Sequence, residues 1–137
     1  MKDNDTVLVF VYGSLLKNEV NHFMMTNYTC VAEDVWIYGR LYDASLEYPF
    51  LIIDNHKKVF GELYEVPVEE VSILDAFEDY EPEGKDNLYV RKEVTVYRDN
   101  ETWQAFVYVC NQEEMLQQEI TEGSWRAYRK KQSKKCF

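Results

Sequence analysis

Val59-Phe60-Gly61-Glu62-Leu63-Tyr64-Glu65-Val66, followed at once by Pro67, decides the fold class of this 137-residue chain. From Gly61 onward, large apolar and charged residues alternate, which is the period-2 pattern of a strand. Pro67 then predicts a helix over 68–78. Proline suits a first helical turn, and Glu69 and Glu70 suit the positive end of the helix dipole. A glycine within a strand favours a bend or bulge over a flat sheet.

The same signals extend in both directions. Residues 6–12 predict a first strand, and 15–25 a short helix or helical turn with Leu16, Val20, Phe23 and Met24 on one side. Residues 29–43 predict one or two strands bent at Gly39, and Tyr48-Pro49 leads into an apolar strand at 50–53. Leu88 to Arg98 and Thr102 to Cys110 alternate on either side of Asp99-Asn100, a hairpin signal. The end reads as helical from Glu113 to Ile120, breaks at Gly123, and resumes at Trp125. About six strands joined by short turns, with one well-marked internal helix, predict an α+β fold. Its sheet is expected to be a small closed or strongly curved mixed β-barrel with flanking helices. Helices do not alternate regularly with strands, which disfavours a doubly wound parallel sheet.

The length suits one domain over 1–137 with a sizeable core. The net charge of −10 argues against nucleic acid as a partner. Residues 126–137 carry six basic side chains and no acid, and the remainder carries 9 basic and 25 acidic residues. This basic tail is expected to be loose and solvated. Cys30, Cys110 and Cys136 are odd in number and lack CxxC spacing, so neither a disulfide framework nor a zinc site is expected, and a reducing cytoplasm fits. The start, Met1-Lys2-Asp3-Asn4-Asp5, is not that of a signal peptide. No apolar run approaches the ~20 residues that span a bilayer.

Two segments carry chemistry. In Val9-Phe10-Val11-Tyr12-Gly13-Ser14-Leu15-Leu16 an apolar strand stops at a glycine turn, whose successive N–H groups can point at one anionic oxygen. Ser14 lacks a His–Asp arrangement and reads as a helix cap, with or without a ligand contact, ahead of a residue lending a hydrogen bond in the turn, and Asn21-His22 as structural hydrogen-bonders ahead of the edge of a pocket. In the 68–78 helix, Val68, Val71, Leu74 and Phe77 form the expected apolar stripe, with Asp75 and Glu78 on or beside it. A carboxylate there loses water and gains pKa, which suits general acid–base chemistry near neutral pH. A solvated acid in the loop Glu78, Asp79, Glu81, Glu83 is the plainer reading of the same periodicity. Tyr89 and Arg91 share a strand face, and an inward Arg91 could pair with Asp75.

Taken together, Tyr12-Gly13-Ser14-Leu15, Asn21-His22, Val59 to Tyr64, Leu74-Asp75-x-Phe77-Glu78-x-Tyr80 and Tyr89-x-Arg91 resemble the γ-glutamylcyclotransferase-like family, which includes γ-glutamylamine cyclotransferases and AIG2-like proteins. Gly123-Ser124-Trp125-Arg126-x-Tyr128 resembles its C-terminal segment. Ser14 stands where many members have Thr. The resemblance implies a small β-barrel with a cavity between the turn and the helix. It implies that Tyr12, Gly13, Ser14 and Leu15 bind a γ-glutamyl substrate and that Glu78 is the catalytic acid–base. The implied reaction is intramolecular acyl transfer giving 5-oxoproline and a free amine, without metal or cofactor, by a monomer or homodimer. The alternative is a non-catalytic module on the same scaffold that binds a small carboxylate.

Overall fold

The computed structural model describes residues 5–81, 84 and 86–135, with side chains described to residue 132. Cys136, Glu83 and residues 1–4 lie outside the described residues. The elements run β1 (Thr6–Val11), β2 (Thr29–Asp43), β3 (Phe50–Pro67), α1 (Val71–Phe77), β4 (Tyr89–Arg98), β5 (Glu101–Cys110), β6 (Gln118–Glu119) and α2 (Trp125–Lys135).

Strands follow one another as β3-β1-β5-β4-β2-β6, and β2 also pairs with β3. The pairing therefore returns on itself, as the glycine-bent strands predict. The sheet is mixed: β1 runs parallel to β5 at Val9↔Phe106, and the other pairings are antiparallel. The seam between β2 and β4 is the pair Trp36↔Tyr97, whose rings stack 4.7 Å apart. Curvature turns one face of every strand inward. Phe10, Ile37, Leu63, Val96 and Val107 fill that interior and are almost wholly buried.

Several local expectations change. The two predicted strands at 50–53 and 59–66 are one strand, β3. Its polar stretch Asp54 to Lys57 is an insertion: Gly39 pairs with Ile53 while Tyr38 pairs with Lys58. The bulge is stabilised locally, because Asp54 Oδ1 accepts from the His56 N–H at 2.7 Å and Asp54 pairs with Arg40. Pro67 closes β3 instead of opening a helix, and a 3₁₀ turn over Val68–Glu70 precedes α1. The helix expected over Glu113 to Ile120 is a 3₁₀ turn at Glu113–Met115 followed by β6, which pairs with Tyr42 and Asp43. Sheet edges outcompete weak helical patterning there.

The basic tail is also not loose through its described part. Residues 125–135 form α2, whose first residue, Trp125, is buried. Gly123 makes this docking possible. Its φ of +67° is one glycine adopts without strain, a Cβ there would stand 2.1 Å from Lys58 O, and its carbonyl accepts from the Phe60 N–H at 2.8 Å.

Candidate active site

The turn after β1 is the first wall of a pocket. Gly13 lets it approach Pro49: an added Cβ would lie 2.4 Å from Pro49 Cδ. The carbonyls of Gly13, Ser14 and Leu15 are used internally. Gly13 O accepts from the Leu16 N–H (3.0 Å), Ser14 O accepts from the Asn21 N–H (2.9 Å), and Leu15 O lies 2.9 Å from His22 Nδ1. Ser14 is no helix cap. Its Oγ accepts from Asn21 Nδ2 at 3.0 Å, and the 3₁₀ turn at His22–Met25 has no side-chain cap. Asn21 and His22 are the structural braces the sequence suggested. The N–H groups of Gly13, Ser14 and Leu15 have no acceptor among the described residues, although all three residues are buried. Buried N–H groups are normally paired, so three in succession mark a site for an anionic oxygen.

Glu78 stands across the same pocket. The expected stripe is only half right, because a three-residue step falls ~60° short of a full helical turn and winds off the buried face. Val68 and Phe77 are exposed, whereas Val71, Leu74 and Asp75 are buried and Glu78 is half-buried. The chain leaves α1 in a tight C-terminal motif. Tyr80 N–H donates to Asp75 O (2.8 Å), Asp79 N–H donates to Ala76 O (3.2 Å), and Asp79 takes φ 57°. This holds Glu78 at the last helical step. Its carboxyl receives no hydrogen bond among the described residues, and burial raises its pKa from 4.5 to about 8.

Tyrosines complete the walls, with Tyr48 and Pro49 at one side. Tyr12 Oη donates to Tyr108 O at 2.6 Å, Tyr89 Oη to Pro49 O at 2.8 Å, and Tyr108 Oη to Asp75 Oδ1 at 2.7 Å. Burial raises the pKa of each, and the Glu78 charge adds to the effect, so all three stay protonated. Tyr48 and Tyr108 are walls that the sequence reading missed, since no local pattern brings residues 48, 78 and 108 together.

Two buried carboxylates brace the site. Asp75 accepts from Tyr108 and pairs with Arg91, so Arg91 faces inward and ties α1 to β4 and β5. Glu62, 2% exposed, accepts from the Lys17 N–H (3.1 Å), Tyr64 Oη (2.9 Å) and Arg126 Nη2 (3.0 Å). The described residues contain no group of three or more His, Cys, Asp or Glu able to hold a metal ion, and no helix among them is long and apolar enough to cross a membrane.

The model of the γ-glutamyl cyclotransferase, AIG2-like family matches residues 9–127, from the first buried strand through the start of α2. The chain belongs to this family. A γ-glutamyl cyclotransferase of Niallia circulans that acts on γ-L-glutamyl-butirosin B is 34% identical over 122 residues, covering 88% of this chain and 76% of that one. YkqA of Bacillus subtilis, a putative γ-glutamylcyclotransferase, is 27% identical over 124 residues, and this chain spans only 42% of its length. The crystal structure of YkqA superimposes with a TM-score of 0.77 over 95% of this chain and 43% of that chain, at 25% identity. An AIG2-like protein of Mus musculus superimposes with a TM-score of 0.64 at 25% identity, covering 84% of this chain and 85% of the other. The curved α+β sheet is thus the sheet of this family. With relatives named as cyclotransferases, the chain is a cyclotransferase-type enzyme.

Proposed function

We propose that the chain converts a γ-glutamyl amide into 5-oxoproline and a free amine, with Glu78 as the general acid–base. One observation carries this reading: a carboxyl with a pKa raised to about 8 lines the same pocket as three successive N–H groups, and neither it nor they have a hydrogen-bond partner among the described residues. The N–H groups of Gly13, Ser14 and Leu15 hold an anionic oxygen of the substrate, which orients the γ-glutamyl group. Ionised Glu78 takes a proton from the substrate's α-ammonium group. The freed amine attacks the γ-carbonyl carbon, and a five-membered lactam C–N bond forms. The original amide C–N bond then breaks as Glu78 returns the proton to the departing nitrogen, and the second proton shed by the attacking nitrogen as it becomes the lactam N–H passes to the released amine, which leaves as an ammonium ion. No water is consumed.

Tethering supplies much of the rate, because well-oriented intramolecular reactions reach effective molarities of ~10⁵–10⁸ M. Proton transfer by Glu78 adds ~10²–10⁴-fold. The three wall tyrosines have their hydroxyl protons committed to Tyr108 O, Pro49 O and Asp75, which leaves Glu78 as the pocket group that titrates near neutral pH.

The test is incubation with γ-glutamyl-amines, γ-glutamyl-amino acids and glutathione, following 5-oxoproline by mass spectrometry. One donor class should yield product, and Glu78→Gln should abolish it. Turnover retained by a folded Glu78→Gln protein would overturn the role given to Glu78.

A further inference from the structure

We infer that Arg126, on the C-terminal helix, is a positioning residue for the substrate-binding turn, acting through the peptide groups of Lys17. Arg126 Nη2 donates both to Lys17 O (2.9 Å) and to Glu62 (3.0 Å), while Glu62 accepts from the Lys17 N–H (3.1 Å). Both peptide groups of Lys17, its N–H and its C=O, are therefore gripped by one ion pair that joins β3 to α2. Lys17 lies two residues beyond Leu15, so this grip is the far anchor of the turn. The near anchor is Gly13 against Pro49.

The clamp is built to be stiff. Glu62 is buried and held by three donors, and Tyr64 Oη, at 2.9 Å, is one of them. Charge-assisted bonds of this kind are short and directional. α2 is fixed in turn by buried Trp125, by the pair Arg129–Glu19, and by Tyr128 Oη donating to Asp43. The helix does not line the pocket, yet it decides where the Gly13, Ser14 and Leu15 N–H groups stand. Groups that must meet a substrate oxygen lose effect when displaced, and a shift of ~1 Å from a remote change can cost ~10²-fold.

The inference rests on the cyclotransferase reading above, and its test separates the two. Arg126 is partly exposed, so Arg126→Gln should fold, as circular dichroism checks. Arg126→Gln should raise KM for the γ-glutamyl donor on the order of 10-fold while the pH dependence set by Glu78 stays in place. Amide exchange in peptides covering 13–17 should quicken. Arg126→Lys keeps a cation near Glu62 and should recover part of the loss. Lys131→Gln, which removes an exposed ion pair with Glu122 on the same helix, should leave both readouts at wild-type values. Unchanged exchange at 13–17 in Arg126→Gln overturns the clamp, and so does faster exchange with unaltered KM. Absence of turnover in the wild-type chain overturns the cyclotransferase reading instead, a distinct failure.

Discussion

Replacing Glu78 with Gln should destroy activity and raise stability, and the gain should grow with pH. The unfolded carboxyl titrates near 4.5 and the folded one near 8. Between those values the folded state holds a proton that the unfolded state has released. Stability therefore falls as pH rises through this window, by about 1.4 kcal/mol per pH unit. Below it the carboxyl is neutral in both states and nothing is lost. Gln is neutral throughout, has the same shape, and gives up no hydrogen bond, since the Glu78 carboxyl accepts none among the described residues. All other titrating groups are common to both proteins and cancel in the difference. Integrating the two titrations from about pH 5.5 to about pH 8 gives a relative gain for Glu78→Gln of ~3 kcal/mol. For a chain of this length that is ~10 °C in Tm. Thermal unfolding followed by circular dichroism at several pH values across the window measures it. A Tm difference that stays flat with pH, or a wild type more stable throughout, would refute the burial argument for Glu78.

Other outcomes follow from the same geometry. kcat/KM should rise with an apparent pKa near 8, because that constant reports ionisation of the free enzyme, and a limb near 4.5 would show Glu78 to be solvated. Gly13→Ala places a Cβ 2.4 Å from Pro49 Cδ and 2.7 Å from Cγ. Urea unfolding should show a loss of ~1–3 kcal/mol, with substrate affinity falling alongside. Arg91→Ala leaves Asp75 without its cation in a mostly buried setting, and urea titration should show a loss of about 3 kcal/mol. Ser14→Ala removes only the acceptor for Asn21 Nδ2, so stability should fall by ~1 kcal/mol and kcat should stay within several-fold of wild type. A loss of several decades would instead make Ser14 a participant in the chemistry.

The hairpin of β4 and β5, the strand ending at Val11 and the curved α+β sheet were legible because each rests on local alternation and turn residues. Misreadings arose where a tertiary partner overrode local pattern. The polar run Asp54 to Lys57 looks like a break, but β2 accommodates it as a bulge. Gln118 and Glu119 look helical, but a free edge at Tyr42 and Asp43 takes them as a strand. Residues 126–132 look like a solvated tail, but Glu62, Glu19 and Glu122 supply partners that lie far away in sequence or beyond the tail.

Sequence by itself singled out the groups to which the proposed chemistry is assigned. A glycine turn after a buried strand and a carboxylate near the apolar side of a short helix are properties of local order, and local order survives in one dimension. Tertiary structure decided that these two segments meet, that the carbonyls of Gly13, Ser14 and Leu15 are spent while their N–H groups have no acceptor among the described residues, and that Arg91 faces inward to Asp75. It alone placed Tyr48 and Tyr108 in the wall and tied Arg126 to Lys17 across 109 positions. Those facts depend on how the sheet curls, and closure brings together residues whose spacing in the chain carries no signal of their contact.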